Sequence, residues 1–321
     1  MIRFLVRRIG QAVLVLWAAT IAVFLLFFGS AGADGVARNF GGRLATPARL
    51  VEIKHDLHLD EPLYLQYLHW IGNMVLHGNL GYDYYKGQSV NSVVGAALPA
   101  TISLVFGAAI LWIGYGVLSG IISAVRARSF LDRSFTTAAL VFYSMPTFVL
   151  GLALIFVFAY KLAPVTQFFP FHGYVAITTN PGQWFEYLIL PWLTLALVTA
   201  ASYTRLTRTS MLEVLGEDYI RTARSKGMSE QRVIVVHGLR SALTPVVTLA
   251  GLDIGTALGG VIITETLFGI TGLGFTIVKA ITVQDLPVIM AIAVLASVFV
   301  VFANLVVDIL YAVLDPRVRL Y

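Results

Sequence analysis

Three carboxylates lie in or beside long apolar stretches, where ionisable side chains usually carry a function. Asp253 interrupts one such stretch, Glu265 ends it, and Asp308 lies near the end of another. Buried carboxylates can act as proton sites. The pair Asp253 and Asp308 also predicts, as an alternative, an intramembrane aspartyl protease, but the G-x-G-D pattern of such enzymes is absent. The sequence contains no cysteine, which excludes a thiolate nucleophile and a thiolate metal site.

Four histidines, His55, His58, His69 and His77, lie close together in the sequence. Imidazole is a common ligand of nickel and zinc. Their spacing, however, matches no regular ligand pattern, and no cysteine completes a set. We therefore predict surface or structural histidines and no metal site.

The composition is that of a membrane protein. Of 321 residues, 58% are hydrophobic and only 12% are charged, against about 25% charged residues in an ordinary soluble domain. The mean hydropathy is +0.83. These values exclude a soluble globular enzyme, a disordered chain and a nucleic-acid-binding domain. The net charge of +5 is consistent with Lys and Arg gathered on the cytoplasmic side of a membrane.

Six uncharged or nearly uncharged runs are long enough to cross the apolar core of a bilayer, which takes about 20 residues. They lie within 8–34, 86–126, 133–161, 186–205, 240–265 and 285–308. The first run is too long for the apolar region of a cleaved signal peptide, so we predict a retained helix. Fifteen of the 22 Lys and Arg residues fall on one side of the resulting topology. That side is cytoplasmic by the positive-inside rule, and it includes both termini.

The segments between the runs define three regions. Residues 1–29 are the cytoplasmic N-terminus and the first membrane helix, 30–96 an extracytoplasmic segment, and 97–321 a core of five helices. In the external segment, Asp60-Glu61-Pro62 is typical of a helix start, with Asp60 as the cap. Apolar residues then recur at helical spacing from Leu63 to Val75. We predict an amphipathic external helix there.

The cytoplasmic loop near 205–245 predicts a helix–turn–helix. The first helix begins with acidic residues at Glu217 and ends at Lys226, followed by Gly227 as a stop. Glu217 and Arg221 are four residues apart and can pair. Ser229 can cap the second helix. The result is a short, charged, rigid knob that could transmit force from a partner; the alternative is a solvated amphipathic loop.

This loop resembles the EAA loop of ABC-importer permeases, in the form found in the dipeptide/oligopeptide/nickel subfamily. The likeness rests on Glu217 to Gly227 with His237 and Pro245 downstream. Further stretches resemble the same family, in order and at compatible spacing: Leu57–Leu63, Gly78–Gly81, Leu98–Thr101, Ser144–Phe148, Thr264–Phe268, Gly272–Gly274 and Asp315–Arg317. The match covers nearly the whole chain. Departures from the family pattern occur at Ser225, Ser241, Thr271 and Asp253.

The resemblance implies an all-α polytopic membrane protein with six transmembrane helices, of the type I ABC-importer permease kind. It implies a permease subunit that takes up di- or oligopeptides delivered by an extracytoplasmic binding protein. Its partners would be a second homologous permease, two ABC ATPase subunits (or one fused), and the lipid bilayer of the bacterial cytoplasmic membrane; no nucleic acid is expected. The residues expected to couple to the ATPases are Glu217, Asp218, Tyr219, Arg221, Thr222, Ala223 and Gly227.

This chain itself is not expected to be an enzyme. It contains no G-x-x-x-x-G-K-[ST] phosphate loop. ATP and Mg would therefore be used by the partner ATPases, and no cofactor is expected here. Nickel chelates or glutathione remain alternative substrates. An ion-coupled secondary transporter with Asp253 or Glu265 as proton site is a different alternative, although the inverted repeats usual in such folds are not evident.

Residues expected on the translocation path or at the permease interface are Asp253, Gly251, Gly255, Gly259 and Glu265. Asp253 either lines the path, where it would attract the amino group of a peptide, or is a satisfied polar residue. The three glycines recur every four residues and allow two helix backbones to approach closely. They pack either within this subunit or against the second permease, and we favour the second permease.

Overall fold

The protein is almost entirely α-helical in the computed structural model, which describes residues 2–29, 32–41, 45–84, 86–161 and 169–314. The helices are α1 (Ile2–Phe28), α2 (Gly32–Gly41), α3 (Pro47–Asp56), α4 (Leu63–His77), α5 (Val90–Val125), α6 (Phe130–Ser144), α7 (Thr147–Leu154), α8 (Pro181–Gly216), α9 (Asp218–Ser225), α10 (Glu230–Arg232), α11 (Leu239–Ala242), α12 (Thr244–Leu258), α13 (Ile262–Leu267), α14 (Leu273–Val283) and α15 (Leu286–Leu314). Two π-helical segments follow α7 and α10, at Ile155–Lys161 and Val233–Gly238. A hairpin pairs β1 (Tyr82–Asp83) with β2 (Gln88–Ser89) in antiparallel register.

Four helices are each long and apolar enough to cross a membrane: α1, α5, α8 and α15. Two further candidates are bent pairs. The segments Phe130–Ser144 and Thr147–Lys161 meet at 105°, and Glu230–Ala242 and Thr244–Leu258 meet at 49°. These six units overlap the six predicted runs in sequence. The described chain thus supplies four spans, or up to six if each bent pair is one span, and the six-span count stays a prediction.

Proline accounts for the position of both bends. Pro146 lies at the cap before α7 and Met145 before it is extended, at ψ 127°, because a residue that precedes proline is driven out of the helical region. At the second bend, Pro245 occupies the first turn of α12, where its missing N–H leaves no unmet hydrogen bond.

The centre of the structure is the packing of α5 against α8. Leu104 and Trp112 of α5 and Leu188 and Tyr203 of α8 are all buried in one cluster. Polar contacts lie inside the same interface: the Oγ atoms of Ser119 and Thr204 are 2.8 Å apart. Because both helices are buried along much of their length, they form the scaffold on which the bent segments rest.

The segment between α1 and α5 is folded, as predicted. Tyr67 and Trp70 of α4 pack their rings against Phe24 of α1, in a buried cluster that also contains Phe28. The predicted helix is α4, but its cap is different. Pro62 occupies the cap position and makes no side-chain capping bond, so the prediction that Asp60 caps this helix is wrong.

A pair of buried aspartates joins the hairpin to the start of α15. Asp83 on β1 and Asp285, just before α15, are both almost fully buried. Lys86 lies between them, with its Nζ 3.4 Å from Asp83 Oδ2 and 3.9 Å from Asp285 Oδ2. Burial first, and the Asp83 carboxylate second, raise the pKa of Asp285 to about 6, because both disfavour a second negative charge at this place.

The two ends of the described chain lie side by side. Arg8 near the start of α1 pairs with Asp308 near the end of α15, with Nη2 and Oδ1 3.2 Å apart. The two helices are therefore antiparallel neighbours, and the start of α1 lies on the same side as the end of α15. Arg317, a second residue close enough in the sequence to pair with Asp308, lies outside the described residues.

Candidate functional site

The loop after α8 forms a compact knob around α9. Glu217 is extended at φ −68° and ψ 150° and caps α9 by its backbone position alone, without a side-chain bond. At the other end, Gly227 adopts φ 77°, and its N–H donates to Arg224 O at 2.9 Å. The predicted helix and its glycine stop are thus found, since a left-handed residue is readily supplied only by glycine.

A small apolar core holds the knob to the end of α8. Ile220 and Ala223 of α9 are buried together with Val233 of the second π-helical segment. Val214 and Leu215 at the end of α8 pack against them. The knob is therefore held by side-chain packing as well as by its backbone connections, and its role in transmitting force stays a prediction.

The opposite face of α9 is polar and open. Of the seven residues expected to contact ATPases, Ala223 is buried and six are exposed: Glu217, Asp218, Tyr219, Arg221, Thr222 and Gly227. The predicted pairing of Glu217 with Arg221 is wrong. Arg221 Nη1 instead lies 3.6 Å from Asp218 Oδ1, because Asp218 begins the helix one turn earlier on the same face.

An ion pair joins α9 to α10. Arg224 donates from Nε and Nη2 to the two carboxylate oxygens of Glu230, at 3.1 and 2.6 Å. Ser229 precedes α10 as predicted, but its side chain makes no capping bond. The second helix continues as the π-helical segment after Arg232, a form that is often found at functional sites.

Asp253 lies on α12 and is half buried. Its Oδ2 accepts a hydrogen bond of 2.8 Å from the hydroxyl of Tyr203 on α8. The carboxylate is thus hydrogen-bonded inside the chain, which offsets part of the cost of burying it. Its place on a translocation path stays a prediction.

The glycine stripe of α12 faces α15 of the same chain. A β-carbon at Gly251 would overlap Val307, one at Gly255 would lie 2.7 Å from Ala303 Cβ, and one at Gly259 would lie 2.9 Å from Ala296 Cβ. The stripe therefore serves close packing within this subunit. The favoured interpretation, contact with the second permease, finds no support at these three positions.

Glu265 on α13 is fully buried and acts as a hydrogen-bonding centre. Its Oε1 accepts from Thr101 Oγ1 at 2.6 Å, and its Oε2 accepts from the Phe275 N–H at 2.8 Å. Thr101 in turn accepts from the Leu273 N–H at 2.8 Å. One carboxylate thereby ties α13 to α5 and α14, and it is buried from solvent.

A second ionic network was not foreseen from the sequence. Asp132 of α6 accepts from Arg208 Nε and Nη2 of α8 at 2.7 and 2.9 Å. It also accepts from Ser123 Oγ at 2.6 Å and from the Arg128 N–H at 2.8 Å. This network fixes three helices at the end of α8 that leads to the knob. Part of this arrangement could have been recognised in the sequence, because Ser129 lies three residues before Asp132 and supplies half of a capping box.

The histidines divide into two kinds. His58 and His69 lie beside Glu61 in one group with ligand-type atoms within 4.8 Å of one another. His55 and His77 do not belong to that group. The expectation of no metal site stays a prediction.

These features define a polytopic α-helical membrane protein with a packed, polar-faced knob beside its long helices. The chain belongs to the family of binding-protein-dependent transport system inner membrane components. Residues 116–320 match that family, and residues 1–105 match the N-terminal part of such membrane components.

Similar proteins extend over the whole chain. The chain is 39% identical to the di/tripeptide transport system permease protein DppB of Pseudomonas aeruginosa, over 99% of each chain. It is 37% identical to the dipeptide transport system permease protein DppB of Escherichia coli, again over 99% of each. A probable peptide ABC transporter permease of Sinorhizobium fredii is 38% identical over 98% of this chain and 99% of its own.

Proposed function

We propose that this chain is the permease subunit of an ATP-driven ABC importer of di- or oligopeptides. An extracytoplasmic binding protein delivers the peptide, and this subunit forms half of the path through the membrane. The observation that carries the proposal is the knob, in which six exposed residues of the α9 region surround a buried core of Ile220, Ala223 and Val233. Family membership and the peptide names of the relatives support it.

The partners follow from this role. The exposed face of α9 docks onto one of two ABC ATPase subunits (or one fused chain), which use the ATP and Mg. A second homologous permease supplies the other half of the path. This chain binds no cofactor of its own in the proposal.

The proposed topology places both termini in the cytoplasm of a bacterium and the 30–96 segment outside. The pairing of Arg8 with Asp308 supports it, because it brings the ends of the first and last spans together. An even number of spans, six, then satisfies the charge distribution. The five-helix core is 97–321, with the knob inside the 205–245 loop.

Within the membrane we assign different roles to the two carboxylates. Asp253 is half buried and its Oδ2 accepts a hydrogen bond from Tyr203; in this proposal its carboxylate also faces a substrate amino group. Glu265 positions α13 through its buried hydrogen bonds and does not itself meet the substrate.

The test of ATPase docking uses the absence of cysteine from the chain. Thr222→Cys, on the exposed face of α9, is labelled with a maleimide photo-cross-linker in native membranes. The matched control is Arg126→Cys, an exposed residue at the end of α5. We expect Thr222→Cys to cross-link to a P-loop ATPase and Arg126→Cys not to. Purification of the chain without any ATPase would overturn the proposal.

The substrate class is tested with the purified complex in proteoliposomes. ATP-dependent uptake is measured for labelled di-, tri- and pentapeptides, glutathione and a nickel–histidine chelate, each with its binding protein. Saturable uptake of peptides alone is the expected result. Uptake of only glutathione or only the chelate would retain the importer class and overturn the peptide assignment.

A further inference from the structure

Two histidines and a glutamate gather where the chain turns from α3 into α4. His58 Nδ1 lies 3.8 Å from Glu61 Oε1, and His69 Nε2 lies 3.4 Å from Glu61 Oε2. The two imidazole rings are 4.5 Å apart, centre to centre. The spacing of these residues in the sequence gave no ligand pattern, but the reversal of the chain before α4 brings the three side chains together.

The backbone around this cluster is held rigidly. His58 adopts φ 51°, a conformation that is rare for residues other than glycine. Buried Gln66 donates from Nε2 to Leu59 O at 3.3 Å and to Glu61 O at 2.7 Å. Leu59 is itself buried in the cluster against α1. His58 and Glu61 therefore lie on a turn that is fixed before any ligand binds, which favours binding.

The distances suit a metal ion better than direct hydrogen bonds. Two donors each about 2.1 Å from a tetrahedral zinc ion lie about 3.4 Å apart. The distance of 3.4 Å between His69 Nε2 and Glu61 Oε2 matches this value, and one ligand-type atom from each of the three residues lies within 4.8 Å of the other two. Glu61 Oε2 is buried and has no hydrogen-bond partner within the part of the chain that the structure describes. A buried carboxylate oxygen without a partner is costly, and a cation between the three side chains would remove that cost.

We propose that His58, Glu61 and His69 bind one Zn²⁺ ion. Two imidazoles and one carboxylate are typical of zinc sites that keep a fourth position open, whereas Ca²⁺ and Mg²⁺ prefer oxygen ligands alone. His58 and His69 also line a cavity of about 220 Å³, together with Asp56, Gln66 and Tyr84. The fourth position is thus available to water or to an external ligand.

The ion would join the turn to α4. His58 precedes that helix and His69 lies on it, so coordination links two parts of the segment that packs on α1. Only the extracytoplasmic placement of the site rests on the proposed function; the binding itself does not. Metal binding and transport are therefore measured separately, and the failure of one does not imply the failure of the other.

The test is zinc binding to the full chain, purified in detergent through a tag without histidine. Bound zinc is counted by elemental analysis and its affinity is measured by competition with a chromophoric chelator. We expect one ion per chain, and an affinity weakened by at least about tenfold in His58→Gln, His69→Gln and Glu61→Gln, since even outer contacts of metal ligands are worth 10–100-fold. His77→Gln is the matched control and should bind as the parent does.

A second measurement guards against misfolded variants. Thermal unfolding in excess EDTA should be alike for parent and variants, whereas added zinc should raise the midpoint of the parent only. Cobalt substitution should give the intense visible absorption of a four-coordinate site. The proposal is overturned if no zinc binds, if the three ligand variants bind as the parent does, or if His77→Gln loses as much affinity as they do.

Discussion

The turn that ends α9 depends on the backbone conformation of one residue. Gly227 has φ 77°, and a β-carbon placed there would meet no atom of the described residues within 4 Å. The cost of a side chain at this position is therefore the backbone cost alone, about 1–2 kcal/mol for an L-residue in the left-handed region. Alanine recovers about 0.4–1 kcal/mol because it restricts the unfolded chain. Gly227→Ala should thus weaken the folded turn by about 1 kcal/mol, or about fivefold in its equilibrium with the open form.

A series of substitutions makes this prediction quantitative. Gly227→Asn should cost less than Gly227→Ala, because asparagine tolerates the left-handed region, and Gly227→Val should cost more, because its side chain is branched at Cβ. The control is Gly216→Ala at the end of α8, where φ is not positive and a β-carbon also meets nothing within 4 Å in the described part of the chain.

The assay combines hydrogen exchange with coupling. Amide exchange in α9 should accelerate in the order Gly, Asn, Ala, Val at position 227 and stay unchanged or slow in Gly216→Ala. The ratio of peptide imported to ATP hydrolysed, measured in proteoliposomes, should fall in the same order. Equal exchange for Gly227 and its alanine variant would refute the backbone argument. Faster exchange with undiminished coupling would refute the role of the knob.

Three further predictions concern other contacts. Glu217→Ala should lower the import-to-hydrolysis ratio without changing the thermal midpoint, because Glu217 makes no capping bond; a lowered midpoint would contradict this. Asp132→Ala leaves the partly exposed Arg208 guanidinium without its buried partner and should cost about 1–3 kcal/mol in chemical unfolding, whereas Asp218→Ala, on the surface, should cost at most about 1 kcal/mol; equal costs would count against the network. Burial raises the pKa of Asp285 to about 6. Its protonated form therefore contributes fully to stability at pH values below the ordinary carboxyl pKa, and this contribution is lost as the pH rises through about 6. Thermal midpoints at pH 4.5 and 7.5 should show that loss in the parent and not in Asp285→Asn.

The positions of the membrane helices could be predicted because uncharged length is a local property. Each of the six predicted runs overlaps a long helix or a bent pair. The directions of the bent pairs could not be predicted, since hydropathy records composition and not orientation. Pro146 and Pro245 were visible as helix breakers, but the angles of 105° and 49° depend on how the segments pack on α5 and α8.

In the knob, too, one feature could be predicted from the sequence and another could not. The stop at Gly227 was predictable because a left-handed turn requires a particular residue type. The partner of Arg221 was not predictable, because Glu217 and Asp218 are four and three residues before it and either spacing allows a pair. In the structure Glu217 is the cap residue and lies outside the helix. Spacing alone cannot choose between two such neighbours.

Long-range contacts had no signal in the sequence. Thr101 and Glu265 are 164 residues apart, yet they share a hydrogen bond. The glycine stripe predicted close helix packing but not its partner, because a spacing of four residues identifies a face and not what lies against it. Both findings depend on tertiary structure alone.

The contacts of α8 explain how a movement of the knob would reach the membrane helices. Val214 and Leu215 at one end of α8 pack on α9, and Tyr203 farther along α8 holds Asp253 of α12. The π-helical segment provides a second connection, since Val233 contacts α9 and the chain continues from it into α12. The glycine stripe of α12 then lies against α15, with no long side chains between the two backbones. A partner that displaces α9 therefore acts on α12 from two directions, and α12 and α15 are packed closely enough to move together.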